Sequence, residues 1–304
     1  MMKETLLITG LTGRTGRCLV HEITAHPDFF DRYDIVAVVR EKSDTSAIDA
    51  CPAGIRKAVG DLTDPYFCRS ILTGTDILLH IAGIHYSVPL IPIAAESCLK
   101  RLIAVHTTGI YSKYKAAGEE YRIIDSACEK ACMDHGVPLT ILRPTMIYGG
   151  TDDCNMIRFI RMVDRLPFIP VVNHGNYTLQ PVHRDDLAYA YFETLFHSAQ
   201  TEGKSYIISG DSPLLLRDIL SMIAENLNKT PRFLSIPFWF AYTAAWFLFC
   251  VTFGRTDVRE KVQRLTEDRA FPHEQASADM GFTPRRFQDG IADEVRAYLR
   301  SDAK

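Results

Sequence analysis

The 304-residue chain has no Cys-x-x-Cys pair and no regular interval among its eight cysteines (Cys18, Cys51, Cys68, Cys98, Cys128, Cys132, Cys154 and Cys250). That pattern excludes a disulfide scaffold and points to reduced, mostly buried thiols. An excess of basic charge is lacking too: 34 Lys and Arg against 37 Asp and Glu leave a net charge of −3. No bulk attraction to nucleic acid or to an anionic membrane follows from such a balance, so any anion must be held locally. The N-terminus offers only the apolar run Leu6-Leu7-Ile8 before Thr9 and Gly10, too short for a secretory leader. A cytoplasmic location is expected, with peripheral attachment at the inner face of a membrane as its variant. Tryptophan is scarce, and both copies fall inside residues 233–254, a stretch with nine aromatics and no Asp, Glu, Lys, Arg or His.

What is present is an ordinary globular composition, 47% hydrophobic and 23% charged, with enough apolar material to fold. The length exceeds what one simple core holds, so a large domain carrying a smaller lobe is expected. Short β-branched runs predict strands over 5–9, 35–40, 57–59, 77–81, 102–106 and 139–142. Helical patterns between them predict helices over 13–25, 65–72, 91–100 and 112–135. The alternation describes an α/β fold, a Rossmann-type doubly wound parallel sheet with a smaller C-terminal substrate lobe. After Gly149-Gly150 the pattern loosens, then a helix over 185–197 and a strand over 205–209 return to the sheet. The expected division is a dinucleotide-binding domain of residues 1–148 plus about 178–210, and a lobe of about 149–177 plus 211–304.

Thr9-Gly10-Leu11-Thr12-Gly13-Arg14-Thr15-Gly16 follows the first predicted strand and opens the first predicted helix. Gly10, Gly13 and Gly16 allow a tight turn, close backbone approach to a pyrophosphate, and close packing of helix on strand. The helix N-terminus, with Thr12, Arg14 and Thr15, then faces the phosphates. Sites for NAD place an acid at the end of the second strand to hold the ribose 2′-hydroxyl, but here that strand ends in Arg40. Arg40 and Arg14 suit a 2′-phosphate, so NADP is expected over NAD. Asp61-Leu62 ends the third strand, where Asp61 can accept from an adenine amino group while its segment also begins a helix. Ala82-Gly83 leaves room for a ribose after the fourth strand.

The candidate catalytic segment runs from Thr107 to Lys115. Tyr111 and Lys115 are four apart, which places them on one face of the helix expected to start here. A phenol titrates near about 10 and is a poor base at neutral pH unless an ammonium beside it favours the phenolate. Tyr111 would then exchange the proton, Lys115 would supply the field and bond the nicotinamide ribose, and Thr107 or Thr108 would orient the substrate oxygen. By spacing alone a Tyr and a Lys sharing a surface face is the commoner case. Position after the fifth strand favours the catalytic use.

With these residues the chain resembles the short-chain dehydrogenase/reductases of the extended type, the NAD-dependent epimerase/dehydratase family. The resemblance rests on the glycine triplet, Gly60-Asp61-Leu62, Tyr111-x-x-x-Lys115, Leu142-Arg143-Pro144-Thr145-Met146-Ile147-Tyr148-Gly149, Gln180-Pro181-Val182-His183 and Ala278-Asp279-Met280-Gly281-Phe282. It implies a nicotinamide cofactor across the strand ends, with Pro144, Thr145 and Met146 bordering the nicotinamide. It also implies a small-molecule substrate, often a nucleotide-diphosphate sugar, held against the lobe. Two trims depart from the family: Thr108 and Tyr111 are only three apart, and the 83–100 segment is short. Both resemble the NmrA-like branch, some of whose members sense NADP without catalysis.

His85 and Tyr86 follow the fourth strand on the expected rim and are candidates to touch substrate, as is Tyr148; a loop histidine without a role is the alternative for His85. Cys128, Cys132 and His135 share a helical face, but buried thiols are preferred to a metal site because no fourth ligand is in view. If 237–253 is helical, its aromatics surround the helix and suit lobe core, a homodimer interface or a membrane surface. A single crossing would separate the closing family motif from the cofactor domain, so a span is not expected. Core or subunit interface is favoured over membrane contact through 233–254.

Overall fold

The computed structural model describes residues 3–252, 258–264 and 266–302. Branched apolar runs form β1 (Glu4–Thr9), β2 (Tyr33–Val39), β4 (Ile77–His80), β5 (Arg101–Val105) and β6 (Leu139–Pro144), while β3 (Arg56–Val59), Arg-Lys-Ala-Val, is a largely exposed edge strand. Short strands β7 (Ile147–Tyr148), β8 (Ile169–Val172), β9 (Thr178–Leu179) and β10 (Val182–His183) follow. After them come β11 (Ser205–Ile208), β12 (Leu214–Leu215) and β13 (Phe233–Ile236). The main sheet has seven strands in the order β11-β6-β5-β4-β1-β2-β3, all pairs parallel. This is the expected doubly wound α/β fold, and its order reverses between β1 and β4, where such sheets open a crevice at the carboxyl ends of the strands. Leu6, Leu7 and Ile8 of β1 are fully buried, as a parallel sheet covered on both faces requires.

The helices are α1 (Arg14–Ala25), α2 (Phe29–Arg32), α3 (Ser46–Asp49), α4 (Pro65–Leu72), α5 (Ser87–Glu96), α6 (Lys115–His135) and α7 (Met156–Arg165). The second half adds α8 (Arg184–Phe196), α9 (Ser198–Thr201), α10 (Leu216–Asn226), α11 (Phe238–Val251), α12 (Arg259–Arg264), α13 (Glu274–Met280) and α14 (Phe287–Asp302). Local chemistry sets their ends. Asp64 caps α4 by accepting from Tyr66 N, with Pro65 at the first position, and Gly136 at φ 68 ends α6 in the left-handed conformation. The helix expected over 91–100 starts earlier, at Ser87. That start puts Pro89 in the first turn, where no backbone donor is needed.

One face of the sheet packs against Leu19 and Ile23 of α1 and Leu187 and Tyr191 of α8; the other packs against Leu72 of α4, Leu90 of α5 and Ile124 of α6. A third cluster joins Ile157 and Ile160 of α7, Ile219 and Ile223 of α10 and Ile291 of α14, and forms the lobe. The expected boundary is interrupted within 211–304, because Ala276, Met280 and Phe282 pack into the core of the sheet. The apolar helix α11 does not fill the lobe core: only Ala245 is buried in it, while Trp239 is 67% exposed and Phe247 66%. Phe253, at the end of the predicted helix, lies outside the described residues. Among the described residues no helix is long and apolar enough to cross a membrane.

Candidate functional site

Gly10 sits at φ 84, and a Cβ there would lie 2.7 Å from Ala82 N, so the turn after β1 lies against the end of β4. Gly16 is equally confined: its Cβ would lie 2.2 Å from Gly10 O and 2.6 Å from Leu11 Cα, which holds α1 hard against the strand. Gly13 caps α1 with no side-chain hydrogen bond, so the first N–H groups of the helix remain open for an anion. These features make a cradle that a dinucleotide pyrophosphate fits.

The cradle is one end of a cavity of about 930 Å³. Gly10, Thr12, Gly13, Arg14 and Thr15 line it, then Arg40, Asp61, Leu62, Ala82 and Gly83, in the places a dinucleotide site needs them. The Thr63 N–H and hydroxyl both donate to Asp61 Oδ1 at 2.8 Å, and the backbone bond chiefly holds that carboxyl below its usual range. Asp61 Oδ2 is left to accept from a base. Gly16 does not line the cavity and acts by packing.

Thr107, Thr108, Tyr111, Thr145, Met146 and Tyr86 line the other end. Thr107 caps a 3-10 turn over Thr108–Tyr111 by accepting from Gly109 N at 3.0 Å, which leaves its own proton for a ligand. Thr108 donates to Pro144 O at 3.1 Å, so its proton is used within the protein. Pro144 contributes that carbonyl and does not line the cavity. The expectation that Tyr111 and Lys115 share a helix face is corrected. Tyr111 ends the 3-10 turn, Ser112 (ψ 136) and Tyr114 (ψ 128) are extended, and α6 opens only at Lys115. The Lys115 side chain lies outside the described residues. Tyr111 is 46% exposed, with its ring 5.4 Å from that of Phe271.

A strap from the C-terminal part of the chain roofs this end. Glu267, buried, accepts from Ser112 Oγ (3.1 Å) and Lys113 N (2.7 Å). Asp268 accepts from Thr178 N and Oγ1, and Arg269 N donates to Thr178 O. Phe271 N donates to Gln180 Oε1 at 2.9 Å, while Gln180 Nε2 donates to Gly210 O. Arg264 and Arg269 both line the cavity, and the Nε of each is buried without a hydrogen-bond partner. Burial, with the like charge of Arg264 beside it, pushes the Arg269 guanidinium below its ordinary value.

Two buried polar clusters support the walls. Ser87 Oγ, His106 Nε2 (3.1 Å), His106 Nδ1 and Asp125 Oδ1 (2.5 Å) form a Ser-His-Asp chain that ends on Arg143. Ser87 is fully buried, so the chain meets no substrate and instead braces the end of β5 beneath Thr107. Burial works to raise the Asp125 carboxyl, and the bonds from His106 and Arg143 outweigh it, leaving it below its usual value. In the second cluster burial, with the negative charge of Asp153 beside it, pushes Glu294 up to about 9, while Glu294 Oε2 accepts from Gly149 N at 2.8 Å. Asp153 immediately precedes Cys154 and Asn155 in the cavity wall.

Residues 10–196 match a family model described as NAD(P)H-binding. The chain belongs to this NAD(P)H-binding family. A UDP-glucose 4-epimerase of Vibrio cholerae is 21% identical over 99% of this chain and 97% of its own length. The structure of gox2253 is 20% identical with a TM-score of 0.80, covering 98% of this chain and 99% of that one. A dTDP-glucose 4,6-dehydratase of Bacillus anthracis in complex with NAD is 14% identical with a TM-score of 0.73, covering 99% and 98%. The NAD(P)H-binding family and the doubly wound fold expected from the sequence are thus both present, and the fold is shared with an epimerase and a dehydratase of nucleotide sugars.

As an NAD(P)H-binding chain it departs from the sequence reading at two candidate substrate contacts. Tyr148 is 1% exposed and packs on His183 and Phe287, because the apolar lobe core claims its ring. His85 points away from the cavity to Glu120 on the surface, at 3.3 Å. Cys128 and Cys132 are buried thiols, pushed by burial up to about 12 and about 11, and His135 is exposed. Sequence reasoning missed Lys113, Arg264, Glu267, Arg269 and Phe271, which carry no local motif. Gln180 was visible only as part of the family resemblance.

Proposed function

We propose that the protein is an NADP-dependent oxidoreductase or epimerase of the short-chain dehydrogenase type, acting on a nucleotide-diphosphate sugar. The observation that carries the substrate class is the pair Arg264 and Arg269. Two guanidinium groups with unpartnered Nε atoms share one cavity wall at the end away from the glycine cradle, an arrangement that calls for a multiply charged anion. A diphosphate meets that need, and the sugar it carries then reaches Tyr111 and Thr107. The epimerase and dehydratase among the similar proteins act, by their names, on such sugars. Arg40 and Arg14 on the cradle side favour a 2′-phosphate.

When bound, the nicotinamide supplies a reversible hydride acceptor. The chain does the rest. Thr107 donates to the reacting oxygen, Tyr111 takes or returns its proton, and the Glu267 strap with Phe271 covers one side of the reacting end. Lys113, which lines the cavity just after this turn, brings positive charge to the same end.

A second reading, an NADP-binding regulatory module with little or no catalysis, is favoured by the break between Tyr111 and α6. Incubation with NADP and a panel containing UDP-glucose and dTDP-glucose separates the two. Turnover that Tyr111→Phe abolishes while NADPH binding persists supports the enzyme. Full activity in Tyr111→Phe rejects that role, and tight NADPH binding with no turnover on any sugar establishes the sensor.

A further inference from the structure

Helix α11 is apolar on every side. Within it Trp246, Trp239, Phe247, Phe240, Val251 and Leu248 are exposed. At 3.6 residues per turn these six span a continuous arc of about 200°. The one hydroxyl in that arc, Thr243, donates its proton back to Phe240 O at 3.0 Å. Among the described residues the remaining side is held by protein: Ala245 is buried, Phe238 N donates to Asn173 Oδ1, and the guanidinium of Arg259 in α12 lies 3.9 Å from the Phe249 ring centroid. The strand that leads into the helix extends the surface, with Leu234 of β13 exposed and Phe168 exposed just before the paired β8.

We infer that α11 docks the protein on an anionic bilayer, lying in the interfacial plane without crossing it. Three observations choose lipid over a second copy of the chain. An interface between subunits sets an apolar centre inside a polar rim on one face, whereas here more than half of the helix circumference is apolar and exposed among the described residues. Solvation by acyl chains suits such an arc. Charge is the second: Arg232, Arg255, Arg259 and Lys261 flank the helix along the sequence against Asp257 and Glu260, in a chain whose net charge is −3, while Lys229 is paired with Asp164. The helix is thus bracketed by the sign that anionic headgroups attract. Length is the third: fourteen residues reach about 21 Å, short of the roughly 30 Å hydrocarbon layer, so the helix lies along the surface. α12, packed on α11, ends at Arg264 in the cavity wall, so docking sets the reacting end of the cavity beside the membrane.

The chain carries its own reporter, because both of its tryptophans are in α11. Full-length protein is mixed with vesicles of phosphatidylcholine containing phosphatidylglycerol, with phosphatidylcholine alone, and with vesicles bearing brominated acyl chains. Expected are co-flotation with the anionic vesicles that weakens with salt, a blue shift of the tryptophan emission, and quenching by the brominated chains. The double variant Phe240→Ser with Phe247→Ser keeps both reporters. It should lower the partition coefficient by more than about tenfold while NADPH binding, made elsewhere, stays unchanged. No flotation and no emission change on any vesicle overturns the inference. So does an emission shift that follows protein concentration without lipid, together with a dimer that the double variant dissolves, since a second copy would then cover the helix.

Discussion

Replacing Gly16 by alanine tests the cradle most directly. The added methyl would stand 2.2 Å from Gly10 O, 2.6 Å from Leu11 Cα and 2.7 Å from Leu11 C, all backbone atoms that no rotamer change can clear. Ordinary contact lies near 3.5 Å, so the helix must retreat from the loop by about 1 Å. The loop cannot yield instead, because Gly10 is itself wedged against Ala82. Charge-assisted bonds from the helix N-terminus to a phosphate act at about 2.8 Å and do not survive that retreat. Each is worth about 1.5–3 kcal/mol, so losing two costs about 3–6 kcal/mol, a fall in affinity of about 10²–10⁴. Equilibrium titration with NADPH measures it, with a thermal melt to show that the variant folds. Gly136→Ala is the control: it is strained at φ 68 but meets nothing within 4 Å, so it should cost stability and leave cofactor affinity alone. A Gly16→Ala protein that binds NADPH within about threefold of the wild type would refute the reasoning.

Two further outcomes are expected. Arg40→Asp should weaken NADPH far more than NADH, since only the former brings a 2′-phosphate to that strand end; equal loss for both cofactors removes the argument from Arg40. Glu294 carries a pH signature. Its folded value of about 9 lies above the unfolded one, so the folded chain holds the extra proton between those values, and stability falls as pH rises from the ordinary carboxylate range toward about 9. Glu294→Gln is neutral like the protonated acid and can still accept from Gly149 N. It should gain on the wild type in melting temperature steadily from pH about 5 to about 9, and parallel profiles for the two proteins would count against the raised Glu294 value.

The glycine loop, Arg40, Asp61 and most strands of the sheet were legible because each is a local signal: a turn requirement, a strand end, an unbroken apolar run. Residue spacing misled at Tyr111 and Lys115. Four positions imply a shared face only if the backbone is helical throughout, and the extended Ser112 and Tyr114 break it. The roof was invisible for a different reason. Glu267 meets Ser112 across 155 positions and Phe271 meets Gln180 across 91, and no pattern short of the fold announces such pairs. Tyr148 read as a candidate contact because it closes a family motif, yet the lobe core competes for the same ring. Helix α11 was legible in composition but not in placement, since periodicity does not distinguish an apolar helix that is buried from one left outside.

The return of the chain to the sheet has a consequence for the order of folding. Ala276, Met280 and Phe282 complete the same apolar cluster as Leu6, Leu19 and Tyr191. During synthesis the first βαβ units emerge early, but their core stays open on one side until residues 276–282 leave the ribosome. The strap that roofs the cavity reaches Ser112 and Gln180 at the same late stage. A nascent chain halted before that point would carry the whole glycine cradle and none of the roof, so it should meet the dinucleotide before it has anywhere to enclose a substrate.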